Sequence, residues 1–457
     1  MRVWLLRLII SLLVWSCVSR VFFASATDTP RTSSPPNNLL PAAPGLTGFG
    51  TETPAGSGRN LPQPKALVYR VTSLADSGPG TLRHCILQRG PRTCIFEVGG
   101  IVRLRGTLSV RSPFLTVAGQ TAPPPGITIT QAGFSIETHD VLLQHLSIRP
   151  GDSPVGAPPS NRDGVSIGSG RMNRAFNVVL DHLSISWAID ENISTWYPGT
   201  HDITISNCLI AEGLHRSIHP KGPHSKGVMI GDGSKRVTLY RNLLTWNEER
   251  NPYIKPGSSA EVINNVVYGW GSNGGWSLCN ISNNDKSAEK IELSFIGNTY
   301  IPGPSSFETY PLYGKNTAPG SLIFAHDNLP HRLSPAASRM QTTDALCKDG
   351  CETISPPVQS PHTQATSADA SVQTVLSEVG SRPRHRSTID QRLVNQVRNR
   401  TGELKDCITG CAHSTGPLRN TTPRHRRLRT PRAPFGDRNG DGYTNLENWL
   451  HRLSSRL

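Results

Sequence analysis

Short β-branched and apolar runs recur through the middle of the chain, each closing near a polar residue. LLQHLSI from Leu142, VVLDHLSI from Val178, DITISNCLI from Asp202, RVTLYRNLL from Arg236, EVINNVVY from Glu261 and LSFIGNTYI from Leu293 share this form, and LIFAHDNL from Leu322 is a weaker copy. Aligning the polar residue picks out His145, His182, Asn207, Asn242, Asn265, Asn298 and Asn328, at intervals of 37, 25, 35, 23, 33 and 30 residues. A single strand type repeated at such a spacing is the signature of a solenoid. One strand cannot bury both its faces, so successive coils must stack to close a core. The pattern predicts an all-β chain folded as a parallel β-helix solenoid. Val, Ile and Leu would fill the interior, and the Asn/His row would stack as a hydrogen-bonded ladder at one corner. Uneven intervals place loops of variable length on one side, where sites are usually built. A β-sandwich or propeller is the alternative, but a sandwich expects hairpin turns that these junctions lack. The open first coil needs a cover, and Thr81 can N-cap a short amphipathic helix that supplies it.

Composition agrees with this picture. Apolar residues make up 36% of the 457, with 42 Gly, 37 Pro and only 6% aromatic residues. That is enough for a folded core, and it suits a turn-rich β chain better than a helical bundle, a disordered chain or a multi-spanning membrane protein. The formal charge of +14 is uneven: from Ser381 to Leu457 there are 16 Lys/Arg against 6 Asp/Glu. A basic tail suits nucleic acid, acidic polysaccharide or anionic lipid, and charge alone does not choose. No recognition motif supports nucleic acid, so none is expected as a partner.

Residues 1–26 read as a secretory signal peptide, with Arg2 and Arg7, a short apolar run and Ala24-Ser25-Ala26; a membrane anchor is the alternative. The expected product is secreted, extracellular, monomeric and without stable membrane insertion. Residues 27–64 form a Pro/Gly-rich leader, 65–335 the parallel β-helix, 336–421 an irregular C-terminal extension with short helical segments, and 422–457 a basic linker and a calcium loop. Removing Cys17 leaves eight cysteines, an even count that suits disulfides in an exported chain. The local pairs are Cys85–Cys94, Cys347–Cys351 and Cys407–Cys411, with Cys208 and Cys279 left over. Sequons stand at Asn192, Asn280, Asn399 and Asn420.

Two groups of residues carry candidate chemistry. Asn161, Asp163, Asp190 and Glu191 come from successive coils, and oxygen ligands converging there suit calcium. Asp181 and His182, inside a strand, read instead as turn and ladder residues. Lys226, in His224-Ser225-Lys226, and Arg250 and Lys255 leave consecutive coils, so stacking brings three cations together. Such crowding demands anionic partners and lowers each pKa. Cations beside a calcium site suit a polyuronate substrate.

At these residues the chain resembles the pectate lyase family, polysaccharide lyase family 1, whose fold is a right-handed parallel β-helix. Its Arg-x-Pro-x-x-Arg-x-Gly signature with a following Asn-Asn pair resembles Arg250-Asn251-Pro252-Tyr253-Ile254-Lys255-Pro256-Gly257 and Asn264-Asn265. Asp163-Gly164-Val165, Leu180-Asp181-His182 and His224-Ser225-Lys226 resemble further family motifs, and the likeness runs from about residue 44 to residue 412. The resemblance implies calcium-assisted β-elimination of polygalacturonate or pectin. It also implies Arg250 as base, Lys226 and Lys255 as catalytic and substrate-binding cations with His224 beside them, and Asp163, Asp190 and Glu191 with Asn161 around the metal. Three departures stand out. Lys255 replaces the second arginine, Ser194 replaces an acid, and one residue is inserted between Gly257 and Asn264. The alternatives are a polygalacturonan hydrolase, which would need two flanking carboxylates such as Asp181 and Asp190, and an inactive β-helix that binds acidic polysaccharide. Near the C-terminus, Asp437, Asn439, Asp441 and Asn445 resemble an EF-hand or dockerin-type calcium loop, with Asn448 at its twelfth position.

Overall fold

The computed structural model describes residues 40–59, 61, 65–168, 174–271, 279–282, 289–307, 312–315, 318–330, 351–352 and 358–457. The expected signal peptide, Cys347 and the side chains of Cys279 and Asn280 lie outside the described residues.

Alternating apolar positions build the coils. Val178 pairs with Ile203, Ile203 with Val237, Val237 with Ala260, Ala260 with Leu293 and Leu293 with Ile323, all in parallel register. All six side chains are buried, so the column runs unbroken up the interior. Each fully buried Val, Ile or Leu contributes about 1.5–3 kcal/mol relative to exposure. Among the described residues, eleven, eight and ten strands form three sheets that wrap this core. The chain is a parallel β-helix, as the repeats predicted.

The ladder needs a correction. Asn242 Nδ2 donates to Asn265 Oδ1 at 2.9 Å, Asn265 to Asn298 at 3.0 Å and Asn298 to Asn328 at 2.9 Å. The next rung down is Cys208, whose N–H donates to Asn242 Oδ1, and not Asn207. His145, His182 and Asn207 belong to the neighbouring column, where the chain turns with positive φ (56°, 52° and 52°), as do Arg241 and Asn264. That corner requires left-handed backbone, which Asn and His tolerate better than β-branched residues. The polar residue near each strand end therefore belongs to two adjacent columns.

Helix α1 (Leu82–Ile86) covers the first coil, with Thr81 Oγ1 accepting the His84 N–H. The Cys85–Cys94 disulfide ties it to strand Arg92–Phe96. The Arg92 guanidinium is buried and donates to the carbonyls of Cys85, Ile86, Gly90, Ser112 and Pro113. Helices α2 (Ala368–Glu378) and α3 (Thr388–Asn399) lay Val375, Leu376, Leu393 and Val397 on Leu209, Leu243, Trp246 and Tyr268.

Residues expected as leader and linker pack on the coils. Ala42, Ala43, Leu46 and Ala55 cover Leu142 and Val179. Arg424–His425 pairs antiparallel with Val98–Gly99. Helix α4 (Asn445–Ser454) buries Leu446 and Leu450 against Ile95 and Ala118. The buried Arg59–Glu447 ion pair ties the segment before the first coil to α4. The Cys407–Cys411 disulfide is present, and Cys208 is a buried free thiol.

Candidate functional site

Strand Lys226–Ile230 lies between Glu191–Thr195 and Tyr253–Ile254, with Glu191 opposite Lys226 and Lys226 bridged to Glu249. The register slips by one residue between Lys226↔Glu249 and Met229↔Tyr253. Arg250 occupies that slip with φ 67°. A bulge of this kind re-aims a side chain out of the ladder, and here it turns Arg250 onto the neighbouring coil. Gly227 makes the approach possible, because a Cβ there would meet the Arg250 carbonyl oxygen at 2.5 Å.

The Arg250 guanidinium pairs with Glu191 Oε1, touches Met229 Sδ at 3.3 Å and lies 5.5 Å from the Tyr253 ring centroid. Asp163, Asp190 and Glu191 each offer a carboxylate oxygen, all within 4.8 Å of one another. Burial, then Glu191 and Asp190, hold the Asp163 carboxyl well above its usual range. Burial pushes Glu191 up to about 7 against the opposing pull of Arg250, and burial also raises Asp190. Lys226 is buried beside Glu249, and desolvation followed by Arg250 brings its ammonium down to about 8. Crowded, desolvated carboxylates that resist ionisation are what a hard cation relieves, so this donor set fits calcium.

The remaining expected residues are placed unevenly. Ser194 Oγ donates to Asp163 Oδ2 at 2.7 Å and accepts Trp196 Nε1–H at 3.0 Å. Lys255 stands 6.0 Å from the Trp196 ring centroid and pairs with Asp232 at 2.8 Å. His224 Nε2 lies 3.5 Å from Asp190 Oδ1. Asn161 is exposed on a 3-10 turn, Pro159–Asn161. Its neighbour Arg162 is the buried residue, donating to the carbonyls of Gly151, Ser153 and Ala157. Asp181 is buried in another sheet, accepting from Gln144, Ser206 and Asn207 and contacting His182 Nδ1, so it cannot flank a bond with Asp190. Asn192 is fully buried and bonded to Asn247, which closes that sequon in the folded chain.

In the C-terminal loop, Asp437 accepts the N–H groups of Gly440 and Gly442, and Asn439 donates to Asp441. Asn445 accepts the Arg438 N–H and donates to the Ala433 carbonyl. Glu447 is held by Arg59, Ser57 and the Thr444 capping box, so it does not stand in for a twelfth-position ligand.

Sequence reasoning missed Glu249 and His219. Glu249 could have been found as the residue preceding Arg250. His219 sits in a loop with no periodic signal.

No family model matches the chain. It is 34% identical over 295 residues to a protein named probable pectate lyase C from Aspergillus flavus, covering 64% of this chain and 59% of that protein. It is 31% identical over 362 residues to one of the same name from Neosartorya fischeri, covering 79% and 77%. The chain thus spans less than two thirds of the length of the Aspergillus flavus relative. Among solved structures, the major allergen from cedar pollen superposes with a TM-score of 0.54 at 18% identity, covering 73% of this chain and 92% of that one. A Bacillus subtilis pectate lyase mutant superposes at 0.52 with 12% identity, covering 75% and 98%. At those identities the two structures speak to the fold alone.

Proposed function

The chain belongs to the pectate lyase family, and from that premise we propose that it is a secreted enzyme cleaving polygalacturonate by β-elimination. The observation that carries the reading is the Arg250–Glu191 pair, set between buried Lys226 and the Asp163/Asp190/Glu191 carboxylates. Residues 65–335 are the catalytic part of this reading, and the segments on either side cover it.

Asp163, Asp190 and Glu191 would hold calcium, which when bound supplies charge to neutralise them and to draw electrons from a uronate carboxylate. Arg250 takes the proton from C5 of a galacturonate. The C5–H electron pair becomes the C4–C5 double bond, the C4–O bond breaks, and the departing oxygen takes a proton from solvent. A guanidinium is a poor base until its cation is disfavoured. Glu191 stabilises that cation, whereas Lys226 destabilises it. Drawing the Glu191 charge away leaves Arg250 with a like-charged neighbour, which favours the neutral guanidine. Lys226 and Lys255 meet the charge that builds on the substrate carboxylate.

A second reading gives the base to Lys226, because its ammonium is already brought down to about 8. The pH–rate profile separates the two: a Lys226 base gives a limb near pH 8 that disappears in Lys226→Arg.

The deciding experiment is an elimination assay on polygalacturonate with and without added calcium. Unsaturated product absorbing in the ultraviolet, abolished by chelation and by Arg250→Ala, is the expected result. Reducing ends without absorbance would indicate hydrolysis, and binding without turnover would indicate an inactive module. Either would overturn the proposal.

A further inference from the structure

We propose that Asp190, His219 and His224 form a binding site for a borderline divalent cation such as zinc. This deepens the reading above and rests on it only in that Asp190 belongs to both donor sets.

The two histidines sit in the loop between strands Leu209–Ala211 and Lys226–Ile230. The Gly222 N–H donates to the His219 carbonyl, and Gly222 turns with φ 86°. His224 N–H then donates to the His215 carbonyl, folding the loop back on itself. The His224 ring is laid over the His219 ring, with centroids 3.5 Å apart. One ligand atom from each of Asp190, His219 and His224 lies within 4.8 Å of the other two.

Two observations leave the space beside Asp190 short of a partner. His219 is 5% exposed, and its Nε2 is buried without a hydrogen bond, 3.7 Å from Asp190 Oδ2. His224 Nδ1 faces the carbonyls of Gly222 at 3.1 Å and Pro223 at 2.9 Å, which places the ring proton there. His224 Nε2 therefore turns a lone pair toward Asp190 Oδ1 at 3.5 Å. A lone pair facing a carboxylate is repulsive unless a proton or a cation lies between them, and a divalent cation satisfies both nitrogens at once. The nearby Lys226 charge is answered by Glu249.

The donor types select the metal. Calcium takes oxygen ligands, whereas two imidazole nitrogens and one carboxylate suit zinc, cobalt or nickel and leave a position for water or a substrate oxygen. Beside Asp163, Ser194 stands where the family has an acid. The donor sets around Asp190 thus lack one carboxylate and include two imidazoles. Binding has a definite cost. His219 Nδ1 accepts the Lys221 N–H at 3.2 Å, so the neutral ring carries its proton on Nε2. Ligation moves that proton to Nδ1 and releases this long contact to solvent.

The test uses the full chain stripped of metal and titrated with cobalt(II), with zinc(II) as competitor. Visible d–d absorption and calorimetry report cobalt binding, and a separate calcium titration follows the carboxylate set. Wild type should bind one cobalt ion that zinc displaces. His219→Gln and His224→Gln should each weaken binding about 100-fold, at or beyond the loss typical of outer-shell partners. Cobalt affinity unchanged in both variants, or cobalt displaced fully by calcium, would overturn the proposal. X-ray absorption on zinc-loaded wild type keeps the test open should a variant misfold. Two imidazole nitrogens at about 2.0–2.1 Å are expected, and an all-oxygen shell refutes the site. Elimination activity with calcium alone is read separately, so failure of the histidine site and failure of the lyase reading are distinguishable.

Discussion

Replacing Ser194 by aspartate restores an acid to the calcium set and should separate stability from metal affinity. Ser194 Oγ donates to Asp163 Oδ2 at 2.7 Å, so Ser194→Asp removes that donor and sets a second carboxylate beside the first. Two unit charges about 4 Å apart repel by roughly 4 kcal/mol at an effective dielectric constant near 20. Because Asp163 already resists ionisation, that figure is an upper bound. A loss of about 2–4 kcal/mol is expected without metal. At about 2–4 °C per kcal/mol for a chain larger than a small domain, this means a fall of several degrees in melting temperature. Calcium relieves the same repulsion and gains a ligand, so its affinity should rise about 10–100-fold, at 1.4 kcal/mol per decade. Ser194→Ala, which loses the hydrogen bond and adds no charge, should cost about 1 kcal/mol and leave calcium no tighter. Calorimetric titration with calcium and thermal unfolding in chelator or calcium measure both quantities. A melting temperature that falls without any gain in calcium affinity would place the metal elsewhere and refute the reasoning.

Arg250→Ala should lower the elimination rate roughly a thousandfold, the scale of a lost proton-transfer group, while circular dichroism stays native. Metal-free stability should fall as pH rises from about 4.5 to 7. Glu191 binds its proton more tightly when folded (about 7 against 4.5), so its favourable contribution is complete below 4.5 and is lost through the folded value. Urea titrations across that window should show a drop of a few kcal/mol that calcium abolishes. Asp181, whose carboxyl is held low chiefly by His182 against the opposing effect of burial, acts in the opposite sense and only at lower pH. Asn265→Ala strips partners from Asn242, Leu239 and Asn298 and should cost about 3 kcal/mol by chemical denaturation. Glu447→Gln weakens the Arg59 pair and the Thr444 cap and should speed hydrogen exchange in α4 ahead of the coils.

Much of the fold could be read from residues alone because each coil repeats the same local demand. Ile203 and Val237 must alternate with polar neighbours whatever their partners, and Thr81 caps α1 through contacts three residues away. The ladder was harder. His145, His182 and Asn207 differ from the true rungs by one position, and adjacent columns look alike until hydrogen bonds separate them. The basic run from Thr422 resembled a linker, yet it lies against the first coil because Arg424–His425 completes a sheet edge there.

The one-dimensional order of apolar and polar residues determined the coil, its cap, the Cys85–Cys94 and Cys407–Cys411 disulfides and the supply of cations and carboxylates. Those features depend on neighbours within about ten positions. Stacking decided which of the supplied groups meet: Arg250 on Glu191, Lys226 on Glu249, Ser194 on Asp163, and His219 over His224 beside Asp190. These contacts depend on a register between coils and on one bulge, properties that no single segment carries, because they arise only when the strands hydrogen-bond.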